Sequence, residues 1–206
     1  VDNSAQPNSR YYSGSGIYRH VWLTLTDPMH VGRGGIYVTT PRAETAGADV
    51  VIRTMVESGH ATTRHGTLRS VVLDGAGREV ARAESPFTLD AGRRVDLEQR
   101  LAVAAPHLWS VATPAMYALR TEVLDGARSV DAVTTPFGIR SIAYDRDRGF
   151  LLNGRRVKMN GVNLHHDAGG LGAAVPERVW QRRLEALKAM GANAIRTSHN
   201  PPAPEL

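Results

Sequence analysis

Apolar and polar residues alternate along the middle of the chain, between residues 36 and 137. Over residues 95–103 the odd positions are mostly apolar and the even positions mostly charged, which is the pattern of a strand with one buried face. The same alternation over residues 117–123 predicts that Arg120 and Glu122 face solvent. Turn sequences such as D-G-A-G and L-D-G-A separate the runs. The pattern predicts strands at residues 36–40, 48–57, 67–74, 79–84, 93–104, 116–124 and 129–135. About seven short strands without a helix indicate an immunoglobulin-like β-sandwich.

After residue 138 the alternation gives way to a hairpin. Residues 140–145 and 149–153 predict its two strands, and Asn153-Gly154 supplies a further turn. Residues 157–164 then predict a strand that ends in a polar cluster formed by His165, His166 and Asp167.

A helix and a second strand follow. Apolar residues at positions 180, 184 and 187 recur at helical spacing, so a helix is predicted over residues 176–190. Pro176 suits its first turn and Gly191 suits its C-cap. Residues 192–197 predict a short buried strand, which ends in a second polar cluster, Ser198, His199 and Asn200.

The strand–helix–strand order brings the two polar clusters together. Such a connection pairs its two strands in parallel, so that both carboxyl ends lie at one edge of the sheet. Ligands bind at that edge in parallel α/β architectures. The sequence therefore predicts a ligand site formed by clusters that are distant along the chain.

Two motifs carry a family resemblance. L-L-N-G-R-R-V-K-M-N-G-V-N-L-H-H-D, followed by G-A-N-A-I-R-T-S-H-N-P-P, closely resembles the entrance to the catalytic barrel of glycoside hydrolase family two. That family contains β-galactosidases, β-glucuronidases and β-mannosidases.

The resemblance implies a mainly β chain with three parts. Residues 1–35 would be the carboxyl-terminal end of a sugar-binding jelly roll plus a linker, with residues 17–26 as its last strand and residues 27–35 as the linker. Residues 36–137 would be the immunoglobulin-like β-sandwich. Residues 138–206 would be the first β/α steps of a (β/α)8 TIM barrel. Because a closed barrel takes about 250 residues, the rest of it is expected elsewhere in a longer protein.

The resemblance also implies a retaining exo-β-glycosidase that hydrolyses terminal β-linked sugars, most similar to the β-galactosidase type. Retaining hydrolysis needs two carboxyl groups about 5 Å apart. In the family one of them is the glutamate of an Asn-Glu pair, which this sequence lacks, and Glu177 and Glu185 fall on the predicted helix. No catalytic residue is therefore assigned, and the segment alone is expected to be inactive. The alternative is a non-catalytic sandwich scaffold or a carbohydrate-binding module.

The polar clusters supply the predicted substrate-binding residues: His165, Asp167, Arg196, His199 and Asn200. The two histidines match family positions that contact sugar hydroxyls, and Arg196 matches an arginine at the base of the pocket. Asp167 is interpreted either as a ligand of a sugar hydroxyl or as a cap of its loop. Asn200 precedes two prolines, so a turn role is its alternative.

A metal site is the competing hypothesis for this cluster, since His165, His166, Asp167 and His199 are all competent ligands. Adjacent histidines on an extended chain point to opposite faces, however, and cannot both face one ion. No metal or other cofactor is therefore predicted for the segment. Mg²⁺ or Na⁺ in the full-length protein is left open.

Composition and the absence of certain patterns limit which binding partners and which cellular location are expected. The net charge of +5 comes almost entirely from arginines scattered along the chain, which does not favour nucleic acid over the expected carbohydrate. No apolar run approaches the twenty residues of a membrane helix, and the first residues show no signal-peptide pattern. The chain has no cysteine, so the compartment stays open, with a periplasmic or secreted location favoured over a cytoplasmic one. The rest of the barrel or another subunit is expected to pack on residues 138–206.

Overall fold

A computed structural model describes residues 16–199 and 201–206 of the chain. The described residues form two compact units, one of residues 24–157 and one that joins residues up to 23 with residues 158–206. The strands are β1 Met29–Ala43, β2 Gly47–Ser58, β3 Arg64–Leu73, β4 Glu79–Leu89, β5 Arg94–Ala104, β6 Tyr117–Asp125, β7 Arg128–Phe137, β8 Ile142–Asp145, β9 Gly149–Leu152, β10 Arg155–Arg156, β11 Gly161–Leu164 and β12 Ala194–Thr197. The helix α1 spans Glu177–Ala189, and Gly169–Leu171 form one 3-10 turn.

Strands β1 to β7 build the predicted β-sandwich. One antiparallel sheet has the order β1-β2-β5, and the other has the order β4-β3-β6-β7. All seven strands predicted from the alternating pattern are present, and several extend beyond their predicted ends. The mainly β fold is therefore confirmed, with the core between the two sheets.

The core of the sandwich follows the alternation. Along β5 the odd positions are buried or half-buried, and the even positions are exposed. Leu68, Val72 and Leu119 are fully buried on the facing sheet. Gln99 is the polar member of this face: its Nε2 donates to the Leu68 carbonyl at 3.1 Å and to the Ser85 hydroxyl at 3.0 Å. These bonds join β5 of one sheet to β3 and β4 of the other, so this amide holds the two layers together.

Two expectations for the sandwich are wrong. Residues 29–35, expected as linker, form the first part of β1, which contains a bulge between Val31 and Ile36. The glycines that suggested a linker serve the bulge instead, where Gly34 takes a φ of 65°. Glu122, expected in solvent, is buried, and its carboxylate oxygens lie 2.9 Å from Arg120 of the same strand and 3.8 Å from Arg69 of β3.

Asn153 ties the hairpin β8–β9 to a loop of the sandwich. Asn153 and Gly154 have φ values of 52° and 73° and connect β9 to β10, as the Asn-Gly pair predicts. The side-chain oxygen of Asn153 accepts the Ser141 N–H at 3.0 Å, and its Nδ2 donates to the Trp109 carbonyl at 2.9 Å. The first residue of the N-G motif thus has a structural role.

The second unit contains the predicted strand–helix–strand. Strand β11 pairs in parallel with β12, in a register that sets Asn163 opposite Arg196. Helix α1 follows Pro176, and it ends where the Gly191 N–H donates to the Lys188 carbonyl and the Ala192 N–H to the Leu187 carbonyl. This pair of bonds is a Schellman motif, and Gly191 supplies its left-handed residue with a φ of 91°. The predicted helix, its glycine cap and the parallel pairing are confirmed.

Three expectations for this part of the chain are wrong. Residues 17–26, all described, contain no strand, and Trp22 and Leu25 are 77% and 86% exposed. Strand β11 begins only at Gly161 rather than at residue 157. The second strand is not buried, since Ile195 is 40% exposed. A strand needs partner strands for its hydrogen bonds and facing layers for its burial, and residue alternation alone supplies neither.

No helix in the described part of the chain is long and apolar enough to cross a membrane.

Candidate functional site

The ends of β11 and β12 bring the two polar clusters to one edge. The ladder continues past the strands, because the Ser198 N–H donates to the Leu164 carbonyl at 3.0 Å. The next residues are His165 and His199, and the centroids of their rings lie 5.8 Å apart. The juxtaposition that the parallel pairing predicts is therefore confirmed for these two residues. Their roles in binding stay predictions.

His199 has an unusual backbone. Its φ of 63° lies in the left-handed region, which is uncommon for a residue with a side chain. Such conformations cost about 1–3 kcal/mol and recur at ligand sites, where the surrounding structure imposes them. His199 is exposed and His165 is half-buried, so both residues are in contact with solvent.

Arg196 lies on β12 beside the two histidines. Its Nη1 is 3.5 Å from the Asn163 side-chain oxygen and 3.4 Å from the Ser198 hydroxyl. Ser198 is buried, whereas Arg196 is exposed. The remaining donors of the guanidinium form a planar fork that can orient hydroxyls or a carboxylate.

Asp167 lies in the loop after β11 and is half-buried. Its carbonyl accepts a hydrogen bond of 2.8 Å from Nη1 of Arg183, a residue of α1. The Arg183 guanidinium is 5.2 Å from the centroid of the Trp180 ring. Sequence reasoning missed this contact and placed Arg183 simply on the polar side of the helix. The spacing signals only the contact with Trp180, since residues three apart share a helix face; the bond to Asp167 joins segments that are distant along the chain.

A groove of about 520 Å³ runs beside this loop. One wall is the end of β11 with the following loop, and the other is a side of α1. The lining residues are Asn163, Leu164, His165, Asp167, Gly169, Arg183, Ala186, Leu187 and Met190. Two predicted substrate-binding residues, His165 and Asp167, thus border a concave surface. Asn200 lies outside the described residues.

The segment before the sandwich contacts the segment after β12. Arg19 Nη2 donates to the Pro201 carbonyl at 2.6 Å, and His20 Nδ1 is in hydrogen-bond contact with a Glu205 carboxylate oxygen. The pKa of Glu205 is held below its ordinary value, first by a backbone hydrogen bond at Glu205 itself and then by His20. Sequence reasoning missed this contact as well, because its partners come from opposite ends of the chain.

The two glutamates considered from the sequence lie on the helix. Glu177 is in the first turn of α1, and Glu185 pairs with Arg178 at 3.2 Å. Over residues 16–199 and 201–206, no three His, Cys, Asp or Glu side chains gather as metal ligands would.

The family follows from comparison with known proteins. Residues 30–140 match the sequence profile of "Glycosyl hydrolases family 2", and residues 145–206 match that of "Glycosyl hydrolases family 2, TIM barrel domain". The chain belongs to glycoside hydrolase family 2. The match confirms the resemblance drawn from the two motifs. It also confirms that a sandwich domain is followed by the start of a barrel domain.

Individual relatives are glycosidases by name. The chain is 49% identical over 206 residues to the β-galactosidase BoGH2A of Bacteroides ovatus, covering 100% of this chain and 24% of that protein. It is 35% identical over 204 residues to a putative β-glucuronidase of Formosa agariphila, covering 99% of this chain and 19% of that protein. Among solved structures, a family 2 member from Bacteroides cellulosilyticus superposes with a TM-score of 0.92 at 39% identity, covering 96% of this chain and 27% of that one. The chain thus spans about a quarter or less of the length of the curated relatives BoGH2A and the putative β-glucuronidase.

Proposed function

We propose that this chain is part of a retaining exo-β-glycosidase of the β-galactosidase type, and that it contributes residues that grip the terminal sugar. The proposal rests on the proximity of His165 and His199 at the carboxyl-terminal ends of the paired strands β11 and β12. Imidazole nitrogens donate or accept hydrogen bonds, which suits the hydroxyls of a sugar. Arg196, Asp167 and Asn200 complete the proposed set of substrate-binding residues.

The catalytic pair is proposed to come from another part of the full-length protein. Retaining hydrolysis requires two carboxyl groups about 5 Å apart. Glu185 is engaged by Arg178, and Glu205 is in contact with His20. The enzyme would then act by double displacement through a covalent glycosyl-enzyme.

The barrel part of the chain is proposed to be completed by further strands or by another subunit. Parallel sheets are normally covered on both faces, whereas Ile195 on β12 is 40% exposed and Met190 at the end of α1 is 68% exposed. Both would become buried in a closed barrel. A Mg²⁺ or Na⁺ ion in the full-length protein stays a prediction.

The sugar is proposed to be galactose because the β-galactosidase BoGH2A is 49% identical and the putative β-glucuronidase is 35% identical. The test is turnover of nitrophenyl β-galactoside, β-glucuronide and β-mannoside by the full-length protein. We expect the galactoside to give the highest kcat/KM. A higher value for the glucuronide would overturn the sugar assignment, and binding of sugar without turnover would favour a carbohydrate-binding module.

Variants test the two histidines. We expect His165→Ala and His199→Ala each to lower kcat/KM by about ten- to a hundred-fold, the loss of one or two hydrogen bonds. His107→Ala is the matched control, because this exposed histidine lies in the sandwich unit. Equal activities of all three variants would refute the proposed site. The 206-residue chain alone is expected to show no turnover, and inhibitor-sensitive activity from it would contradict the placement of the catalytic pair.

A further inference from the structure

A hydrogen bond joins the loop that carries the first polar cluster to helix α1. Arg183 Nη1 donates to the carbonyl of Asp167 at 2.8 Å. The turn that follows is closed on itself: the Ala168 N–H donates to the Gly172 carbonyl at 2.9 Å, and the Gly172 N–H donates to the Gly169 carbonyl at 3.0 Å. The Arg183 bond therefore joins the residue that precedes this closed turn to helix α1.

The geometry of Arg183 suits this role. Trp180 is only 2% exposed, so its ring is fixed in the interior of the unit. The guanidinium lies 5.2 Å from the centroid of that ring, within cation–π distance. An arginine fork held against a fixed ring loses less freedom on forming a hydrogen bond than a mobile lysine would. The contact thus directs a charged donor at one main-chain carbonyl.

The anchored carbonyl lies close to the proposed substrate contacts. Asp167 comes two residues after His165, and Asp167 and Arg183 line the same groove. Loss of the bond would loosen the loop at Asp167 without removing any side chain proposed to touch the sugar. If the loop is mobile before the sugar binds, part of the binding free energy is used to order it, and the affinity for the sugar is lower.

We propose that Arg183, stacked on Trp180, is a positioning residue that holds the His165–Asp167 loop in its sugar-binding conformation. This inference rests on the proposed function. Arg183 acts through Asp167 and does not itself touch the sugar. Its contribution is expected in KM, because an unanchored loop reduces the fraction of enzyme that is ready to bind.

The test uses the full-length protein, with kcat expressed per active site titrated by a covalent glycosidase inhibitor. We expect Arg183→Met to raise KM for nitrophenyl β-galactoside about five- to fifty-fold, and kcat per titrated site to change less than about three-fold. Arg183→Lys, which keeps the charge and a donor, should restore part of the loss. Arg182→Met is the matched control, since Arg182 is the neighbouring residue of α1 and is exposed.

Amide hydrogen exchange gives a readout that does not depend on catalysis. Residues 166–172 should exchange faster in Arg183→Met than in Arg182→Met, whereas exchange in β11 and β12 should stay the same. A parental protein without glycosidase turnover would overturn both the proposed function and this inference. An active parent whose Arg183→Met variant keeps the parental KM, or matches the Arg182→Met control in loop exchange, would overturn the inference alone. If Arg183→Met is poorly folded, the same two comparisons are made on Arg183→Gln, whose side chain is shorter and uncharged, and parental KM and exchange in that variant would overturn the inference.

Discussion

Replacement of Asn153 should show how firmly the hairpin β8–β9 is joined to the sandwich. The side chain makes two hydrogen bonds, accepting from the Ser141 N–H at 3.0 Å and donating to the Trp109 carbonyl at 2.9 Å. The backbone is left-handed, with a φ of 52°. Three variants separate these contributions. Asn153→Gly removes both bonds and keeps the turn, Asn153→Asp keeps the acceptor, and Asn153→Ala removes both bonds and strains the backbone.

The magnitudes follow from the two bonds and the turn. A net contribution of about 0.5–1.5 kcal/mol per hydrogen bond puts Asn153→Gly at about 1–3 kcal/mol of lost stability. Alanine adds about 1 kcal/mol for the left-handed conformation, which gives about 2–4 kcal/mol. Asn153→Asp should cost about 1–3 kcal/mol, because the Trp109 carbonyl loses its donor and faces a carboxylate instead.

The assay is urea denaturation of the 206-residue chain, followed by tryptophan fluorescence and by exchange of the hairpin amides. Arg146→Ala serves as the control, since this exposed residue belongs to the turn of the same hairpin. The expected order of stability is parent, then glycine, then alanine. If all three Asn153 variants stay within about 0.5 kcal/mol of the parent, Asn153 does not join the two parts. An alanine variant as stable as the glycine variant would refute the backbone argument.

Three further changes test other parts of the structure. Leu119→Ala should cost about 2–5 kcal/mol, because Leu119 is 0% exposed in the sandwich core and leaves a cavity; a loss below about 1 kcal/mol in urea denaturation would contradict this. Gly138→Ala should cost about 1–3 kcal/mol, because a Cβ there would lie 2.9 Å from atoms of Trp109; an unchanged denaturation midpoint would show that this approach is not tight. The pKa of Asp145 is lowered from 3.8 to about 2, first by the Arg148 backbone N–H and then by the Arg148 side chain. Its stabilising contribution should therefore be fully present above about pH 4 and lost as the pH falls towards 2, and it should be absent from Asp145→Asn. An NMR titration that finds an ordinary pKa for this carboxyl would contradict the turn geometry.

The sandwich could be predicted well because its pattern is local. Side chains on a strand alternate between two faces, so a strand with one buried face has an apolar residue at every second position. The helix could be predicted for the same kind of reason, with Gly191 marking its end. The prediction was wrong where the same local pattern is compatible with two different structures. The glycines before Ile36 looked like a linker but form a bulge, and Glu122 looked exposed but is enclosed by two arginines.

The candidate site was predictable in part. Parallel pairing follows from the order strand–helix–strand, and that topology was enough to bring His165 and His199 together. The contacts of Arg183 with Asp167, and of Arg19 with Pro201, were not predictable, because they depend on how side chains of distant segments meet in space.

The amino-acid sequence by itself determined the alternating strands, the Asn-Gly turn, the capped helix and the motifs that mark the family. Each of these depends on backbone geometry over a few neighbouring residues. Only the tertiary structure decided that residues 17–26 form no strand, that β12 is exposed from Ile195 to Thr197, and which arginine donates to the loop of the first polar cluster. Strand pairing, burial and long-range hydrogen bonds need partners distant along the chain, and a local pattern does not specify them.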